Sequence, residues 1–188
     1  MEAKHSESEF SISLQGRLLL AAPALRDGVF SQAVILLEDH SHGSGAIGKI
    51  INHRTETTVG DLVGDLKHSP LGSLAVHHGG PVGSQQLSFS SWGWSPQGDF
   101  FNFPQISVEK AESLISKPKC VVQATVGYSS WSPGQLENEL VGNTWLTLKP
   151  ATEILSGTLD NSLWKRLLTS ISPYHALLSQ APKNPLLN

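Results

Sequence analysis

Cysteine is nearly absent: the 188-residue chain holds one, Cys120. No intramolecular disulfide can form. Cys120 opens the apolar run Cys120–Val126 and reads as a buried, reduced thiol acting as a small hydrophobe. A nucleophilic role would need a base or a helix N-terminus beside it. Charge is scarce too, at 15% of residues, and it balances to −3. A surface of that sign does not displace counterions from phosphates, so direct nucleic-acid binding is disfavoured. No apolar stretch approaches the ~20 residues of a membrane span. The nearest is Leu18–Leu25, in which Ala22-Pro23-Ala24 imitates a signal cleavage site. Glu2, Glu7 and Glu9 precede it against Lys4 and Arg17, the wrong sign for a signal n-region. A buried strand ending at Pro23 is the better account, and a cytoplasmic setting is expected.

The common catalytic signatures are missing as well. There is no Gly-x-Ser-x-Gly elbow, and Gly43-Ser44-Gly45 lacks its frame. The turn Gly79-Gly80-Pro81-Val82-Gly83 could offer backbone donors to an anion, but it lacks the lysine and the following helix of a phosphate loop. His40, His42, His53, His77 and His78 invite a metal reading. However, they show no HExxH or paired Cys/His spacing, and adjacent His77 and His78 would face opposite sides of a strand. No metal and no cofactor is expected.

What is present is a mixed pattern of elements. Residues 1–11 are polar and patternless and read as a flexible arm. Leu18–Ala22 and Ala33–Leu37 are short apolar runs that read as buried strands. Glu38–Ser44 reads as a polar loop. Gly45–Asn52 reads as a strand whose two glycines mark a bulge or the close approach of another backbone or a ligand. A helix is predicted over Thr58–Leu66, with Leu62 and Leu66 on one face. Strands are predicted at Leu74–His78, Gln85–Trp92 and Asp99–Phe103, then a helix over Ser107–Ser116 capped by Ser107. Lys119–Val126 is the strongest strand candidate. Ser132-Pro133-Gly134-Gln135 reads as a helix start, with Ser132 as the cap and Gln135 returning it. That helix runs to Val141. A strand at Thr144–Leu148 follows, and then a helix with Leu159, Leu163, Trp164, Leu167, Leu168 and Ile171 on one face. Residues 172–188, with Pro173, Pro182 and Pro185, read as a loosely held tail. Several strands follow one another without helical crossovers. That order predicts a single α+β domain over residues 12–171, with a mixed, largely antiparallel sheet packed by about four helices.

Several blocks carry a family resemblance. They are Gly16–Pro23, Phe30–Ile35, Gly45-Ala46-Ile47-Gly48 with Asn52, His78–Val82, Gly127–Leu140 and Asn143–Leu146. In this order they resemble the YqgE/AlgH family of small bacterial proteins. The resemblance implies an α+β domain in a cytoplasmic bacterial setting. The family's AlgH member has been described as a candidate transcriptional regulator, which implies a regulatory role. The chain departs from the family pattern at Arg54, where a proline is usual, and at Lys49, where an apolar residue is usual. It also lacks the leucine–histidine pair common at Phe89–Trp92.

The most informative group is Tyr128, Trp131, Gln135 and Glu139. Gln135 and Glu139 lie one turn apart on a helix face, and the aromatic pair leads into its N-terminus. Such a corner, closed by Asn52 and its strand, suits a small-molecule or peptide end group. The competing reading is structural, with aromatics packed on the sheet and the glutamine closing a cap. The leading expectation is a noncatalytic binding or regulatory protein with an unidentified protein or small-molecule partner. Two alternatives are a small-molecule enzyme, such as a hydrolase using residues 128–139, and a DNA-binding regulator. The second alternative lacks a helix-turn-helix pattern and a basic stripe.

Overall fold

Nine strands and four helices form among the described residues. The strands are β1 (Leu18–Ala21), β2 (Val34–Ser41), β3 (Gly45–Ile50), β4 (Arg54–Thr58), β5 (Ala75–His78), β6 (Val82–Trp94), β7 (Phe100–Ile106), β8 (Cys120–Trp131) and β9 (Trp145–Leu148). The helices are α1 (Val59–Leu62), α2 (Val108–Leu114), α3 (Gln135–Val141) and α4 (Ser162–Ile171). The structure is a computed structural model, and it describes residues 13–171 apart from 27, 42, 153 and 155–157. The arm at residues 1–11 and the tail at 172–188 lie outside the described residues.

One sheet runs β4-β5-β8-β3-β2-β1-β9, with β6 also paired to β8 and β7 to β6. Among the described residues only the β5–β8 pairing is parallel. The fold is therefore α+β with a mixed, largely antiparallel sheet, as the order of elements predicts. Strand β8 is its spine. It pairs with β6 from Cys120 to Tyr128, with β5 at Ala124–Val126 and with β3 at Ser129–Trp131.

Apolar side chains collect in two cores. The larger joins β1, β2 and β3 to Trp131, Trp145, Leu136 and the inward face of α4. Helix α4 follows its predicted face: Leu163, Trp164 and Leu168 are buried, and the Trp164 indole donates to the Ala21 carbonyl at 2.8 Å. The smaller core places Val59, Leu71 and α2 against β5, β6 and β8. Ser107 caps α2 as expected, its hydroxyl accepting from Lys110 N–H at 3.3 Å.

Four local readings change. Strand β2 continues through Glu38–Ser41, where polarity suggests a loop, because Glu38 and His40 turn inward and find partners there. Strand β4, absent from the sequence reading, is an edge strand of alternating exposure whose three threonines suit a pleated surface. The helix expected over Thr58–Leu66 breaks at Val63, which is extended, leaving a single turn at α1 and a 3-10 turn at Gly64–Leu66. Leu62 is accordingly 50% exposed while Leu66 packs against the smaller core, so the two do not share a face as expected. Strand β8 runs five residues past Val126, through Gly127, whose φ of 74° permits a left-handed step. A side chain there would meet the Gly80 carbonyl at 2.4 Å.

Candidate functional site

The extension of β8 divides the expected aromatic corner. Successive side chains of a strand point to opposite faces, so Tyr128 and Trp131, three apart, diverge. Trp131 enters the core, 6% exposed, with its ring edge-on to Trp145 at 6.0 Å. Both indole N–H groups donate to the same atom, Glu139 Oε2, at 2.8 and 2.7 Å. The other carboxylate oxygen of Glu139 accepts from Gln135 Nε2 at 2.9 Å. Gln135 Oε1 in turn accepts from the Ser132 N–H at 3.0 Å. The expected return of the cap by Gln135 is therefore present. The expected cap by the Ser132 hydroxyl is not: the cap position is Gly134, at φ 76°, because Ser132–Gln135 closes a turn ahead of the helix. Trp131, Gln135 and Glu139 thus form one hydrogen-bonded clamp that ties α3 to the ends of β8 and β9.

Asn52 stands apart from that clamp. It is fully buried, donates to the Gln32 carbonyl at 2.9 Å and accepts from Val34 N–H at 2.7 Å. Its amide fixes the chain entering β2. The close approach foreseen at the β3 glycines comes from the protein's own backbone, since a side chain at Gly45 would lie 2.1 Å from the Trp131 carbonyl.

Tyr128 faces the other way, into a cleft of about 310 Å³ between β2, β3, β6, the end of β7 and β8. Its walls include Ile47, Pro104, Gln86, Gln105 and Ser88. A β-bulge shapes it: Leu37 pairs with Gly48 and Asp39 with Ile47, leaving Glu38 as the extra residue. Bulges re-aim side chains, and here both Glu38 and Asp39 reach the cleft. Glu38 and Lys49 are both buried and pair across β2 and β3 at 3.1 Å. The Lys49 ammonium also donates to the Pro104 carbonyl at 2.7 Å. Burial raises the Glu38 carboxyl above its ordinary range, and the charge and hydrogen bond of Lys49 oppose that shift.

The histidines disperse. His40 Nδ1 accepts from Leu14 N–H at 3.0 Å, which places its proton on Nε2, facing Glu137 Oε1 at 3.1 Å. His77 Nε2 faces the Leu159 carbonyl at 2.9 Å. Burial holds both His53 and His77 below the ordinary histidine range. His42 lies outside the described residues. Among those described, no three His, Cys, Asp or Glu side chains cluster as metal ligands.

Sequence reasoning passed over Glu38 and Asp39 as loop residues and noted Lys49 only as a departure. A usable signal exists in hindsight: Glu38-Asp39-His40-Ser41 continues an apolar strand without a glycine or proline to break it.

Residues 18–175 match the family model described as AlgH-like, DUF179. A UPF0301 protein of Streptomyces avermitilis is 31% identical over 191 residues, spanning 94% of this chain and 96% of that protein. A UPF0301 protein of Gluconobacter oxydans is 31% identical over 182 residues, spanning 90% and 97%. The solution structure of the AlgH protein from Pseudomonas aeruginosa superposes with a TM-score of 0.64 at 22% identity, covering 98% of this chain and 100% of that one. A crystal structure from Corynebacterium diphtheriae gives a TM-score of 0.68 at 20% identity, covering 88% and 91%. No described helix is long and apolar enough to cross a membrane. With the family model spanning most of the sequence, the chain belongs to the AlgH-like family.

Proposed function

We propose that this chain is a noncatalytic binding protein and that its recognition site is the cleft beside Tyr128. The observation that supports this is the ion pair at the cleft. Taking Glu38 and Lys49 out of water costs free energy that an apolar pair of similar volume would not. A charged pair kept beside an open cavity fits a recognition role better than a stabilising one. The cavity volume lies at the low end of the range for small-molecule sites, and its walls mix apolar and polar groups as such sites do.

In this reading Tyr128 touches the ligand. Trp131, Gln135, Glu139 and Asn52 hold the frame, since their polar atoms are turned to the protein itself. A regulatory role would act through the bound ligand or a partner protein, not through duplex DNA, given the acidic net charge. A cytoplasmic setting belongs to the same reading, supported by the single cysteine.

The test is a fragment screen followed by amide shifts in the labelled protein. Hits should move Ile47, Gly83, Gly127 and Tyr128 together. Tyr128→Ala should weaken them at least several-fold while the denaturation midpoint changes little. Hits that map elsewhere, or that ignore Tyr128→Ala, would remove the cleft from consideration.

A further inference from the structure

The charges around this cleft do not cancel. Lys49 is the only cation among its described lining residues, set against Glu38 and Asp39. Its ammonium is already committed, with one donor to Glu38 and one to the Pro104 carbonyl. An entering anion would have to compete with a carboxylate that is already held in place. Asp39 is different: it is exposed, and no described cation pairs with it. The remaining polar groups include the Gln86 and Gln105 amides, which can accept as well as donate. The apolar walls are Ile47, an unusually open 41% exposed, with Pro104 and the Tyr128 ring. An aromatic face attracts a cation and repels an anion.

We infer that the cleft takes a small organic cation, an amidinium, guanidinium or ammonium group carried on a flat or apolar body, with Asp39 receiving the charge and Tyr128 and Ile47 the body. This rests on the reading of the cleft as the binding site and goes beyond it by naming the ligand chemistry. The Glu38–Lys49 pair acts here as an electrostatic filter. It fills the one position from which a positive charge could attract an anion.

Three probes of one shape decide the matter: benzamidinium, benzamide and benzoate. Each is titrated into the full-length protein while amide shifts of Ile47, Gly83, Gly127 and Tyr128 are followed. Benzamidinium should bind with a Kd on the order of 1 mM, as its few heavy atoms allow. Benzoate should bind at least tenfold more weakly. Asp39→Asn should weaken benzamidinium roughly threefold, the scale of an exposed ion pair, and leave the urea midpoint unchanged. Glu38→Gln takes away the counter-charge of Lys49 and should raise benzoate affinity; unchanged benzoate binding would overturn the filter role. If that variant does not fold, Asp39→Asn still decides. Agmatine is compared with the peptide Gly-Gly-Arg-Gly-Gly to separate a free cation from an arginine side chain. Agmatine binding at least as tightly supports the inference, and a clear preference for the peptide would overturn its small-molecule part. Benzamide or benzoate equalling benzamidinium at the same amides would overturn the cation preference and leave the cleft a binding site. If benzamidinium binds equally well to Asp39→Asn, the role of Asp39 is refuted. If no probe and no fragment moves these amides, the cleft reading itself has failed.

Discussion

Glu139 offers the sharpest test of how this fold is held. One carboxylate oxygen accepts from two buried indoles, Trp131 at 2.8 Å and Trp145 at 2.7 Å, and the other accepts from Gln135. Glu139→Ala removes the acceptor of two donors whose rings are almost wholly inside the protein. Each buried donor left without a partner costs about 1–3 kcal/mol. Glu139 is itself half-exposed, so water can follow its truncation and reduce the loss. The expected cost is about 3 kcal/mol, against a total stability of roughly 5–15 kcal/mol. Glu139→Gln keeps an oxygen that can accept from both indoles but sets its NH2 group against Gln135 Nε2, so it loses the charge assistance and that exposed hydrogen bond, about 1–2 kcal/mol. Gln135→Ala removes an exposed cap partner and should cost less than ~1 kcal/mol. Trp131→Ala empties a large aromatic site and should cost about 3–5 kcal/mol. The assay is urea denaturation followed by far-UV circular dichroism, because tryptophan fluorescence is itself altered by these changes. The decisive comparison is a double-mutant cycle of Trp131→Phe with Glu139→Ala, which should show a coupling of about 1–2 kcal/mol. A coupling near zero, or a Glu139→Ala protein within ~1 kcal/mol of wild type, would refute the clamp.

The remaining predictions concern charge and capping. Lys49→Met leaves the Glu38 carboxylate buried without its cation; at neutral pH it should cost about 2 kcal/mol, less than a fully enclosed pair because the cleft admits water. Glu38 is already raised by burial, so the deficit should shrink as the pH falls and Glu38 takes up its proton, a trend that urea titrations at two pH values would read directly. His53 and His77 are both lowered, by burial first, so the unfolded chain binds protons more readily than the folded one. Stability should therefore fall as pH drops below about 6.5, and proton titration by NMR should find both residues still neutral there; ordinary titration of both would contradict the burial argument. Ser132→Ala should change stability by less than ~0.5 kcal/mol, because the helix is capped at Gly134; a loss of ~1 kcal/mol would restore the serine as the cap.

The parts of the fold legible in the sequence are those where local pattern and tertiary environment agree. The last helix shows this: its apolar period survives intact as the buried face of α4, down to Leu163, Trp164 and Leu168. The run Leu18–Ala21 is buried at every residue and reads as such. Patterns failed where a distant partner overrides local preference. Gly127, Ser129 and Ser130 are poor strand formers, yet β3 and β6 impose strand geometry on this stretch. That one misjudged boundary carried the largest consequence. If Gly127–Trp131 is a loop, Tyr128 and Trp131 can share a corner; once it is a strand, alternation sends them to opposite faces.

The cleft was hidden for a related physical reason. Nothing in the spacing of Glu38 and Lys49 along the chain marks them as a pair, because their meeting depends on the register of β2 against β3 and on a bulge in that register. A bulge shifts the facing of every residue beyond it, so sequence alternation alone places Asp39 wrongly. The clamp at Glu139, by contrast, lies within one helix and the strands flanking it, and its Gln135–Glu139 spacing is readable as a one-turn pair. The two halves of the expected corner therefore differ in kind. The local half holds the frame and can be inferred from spacing. The half that faces solvent is assembled from five strands, and only their registers bring Tyr128, Lys49 and Asp39 to the same cleft.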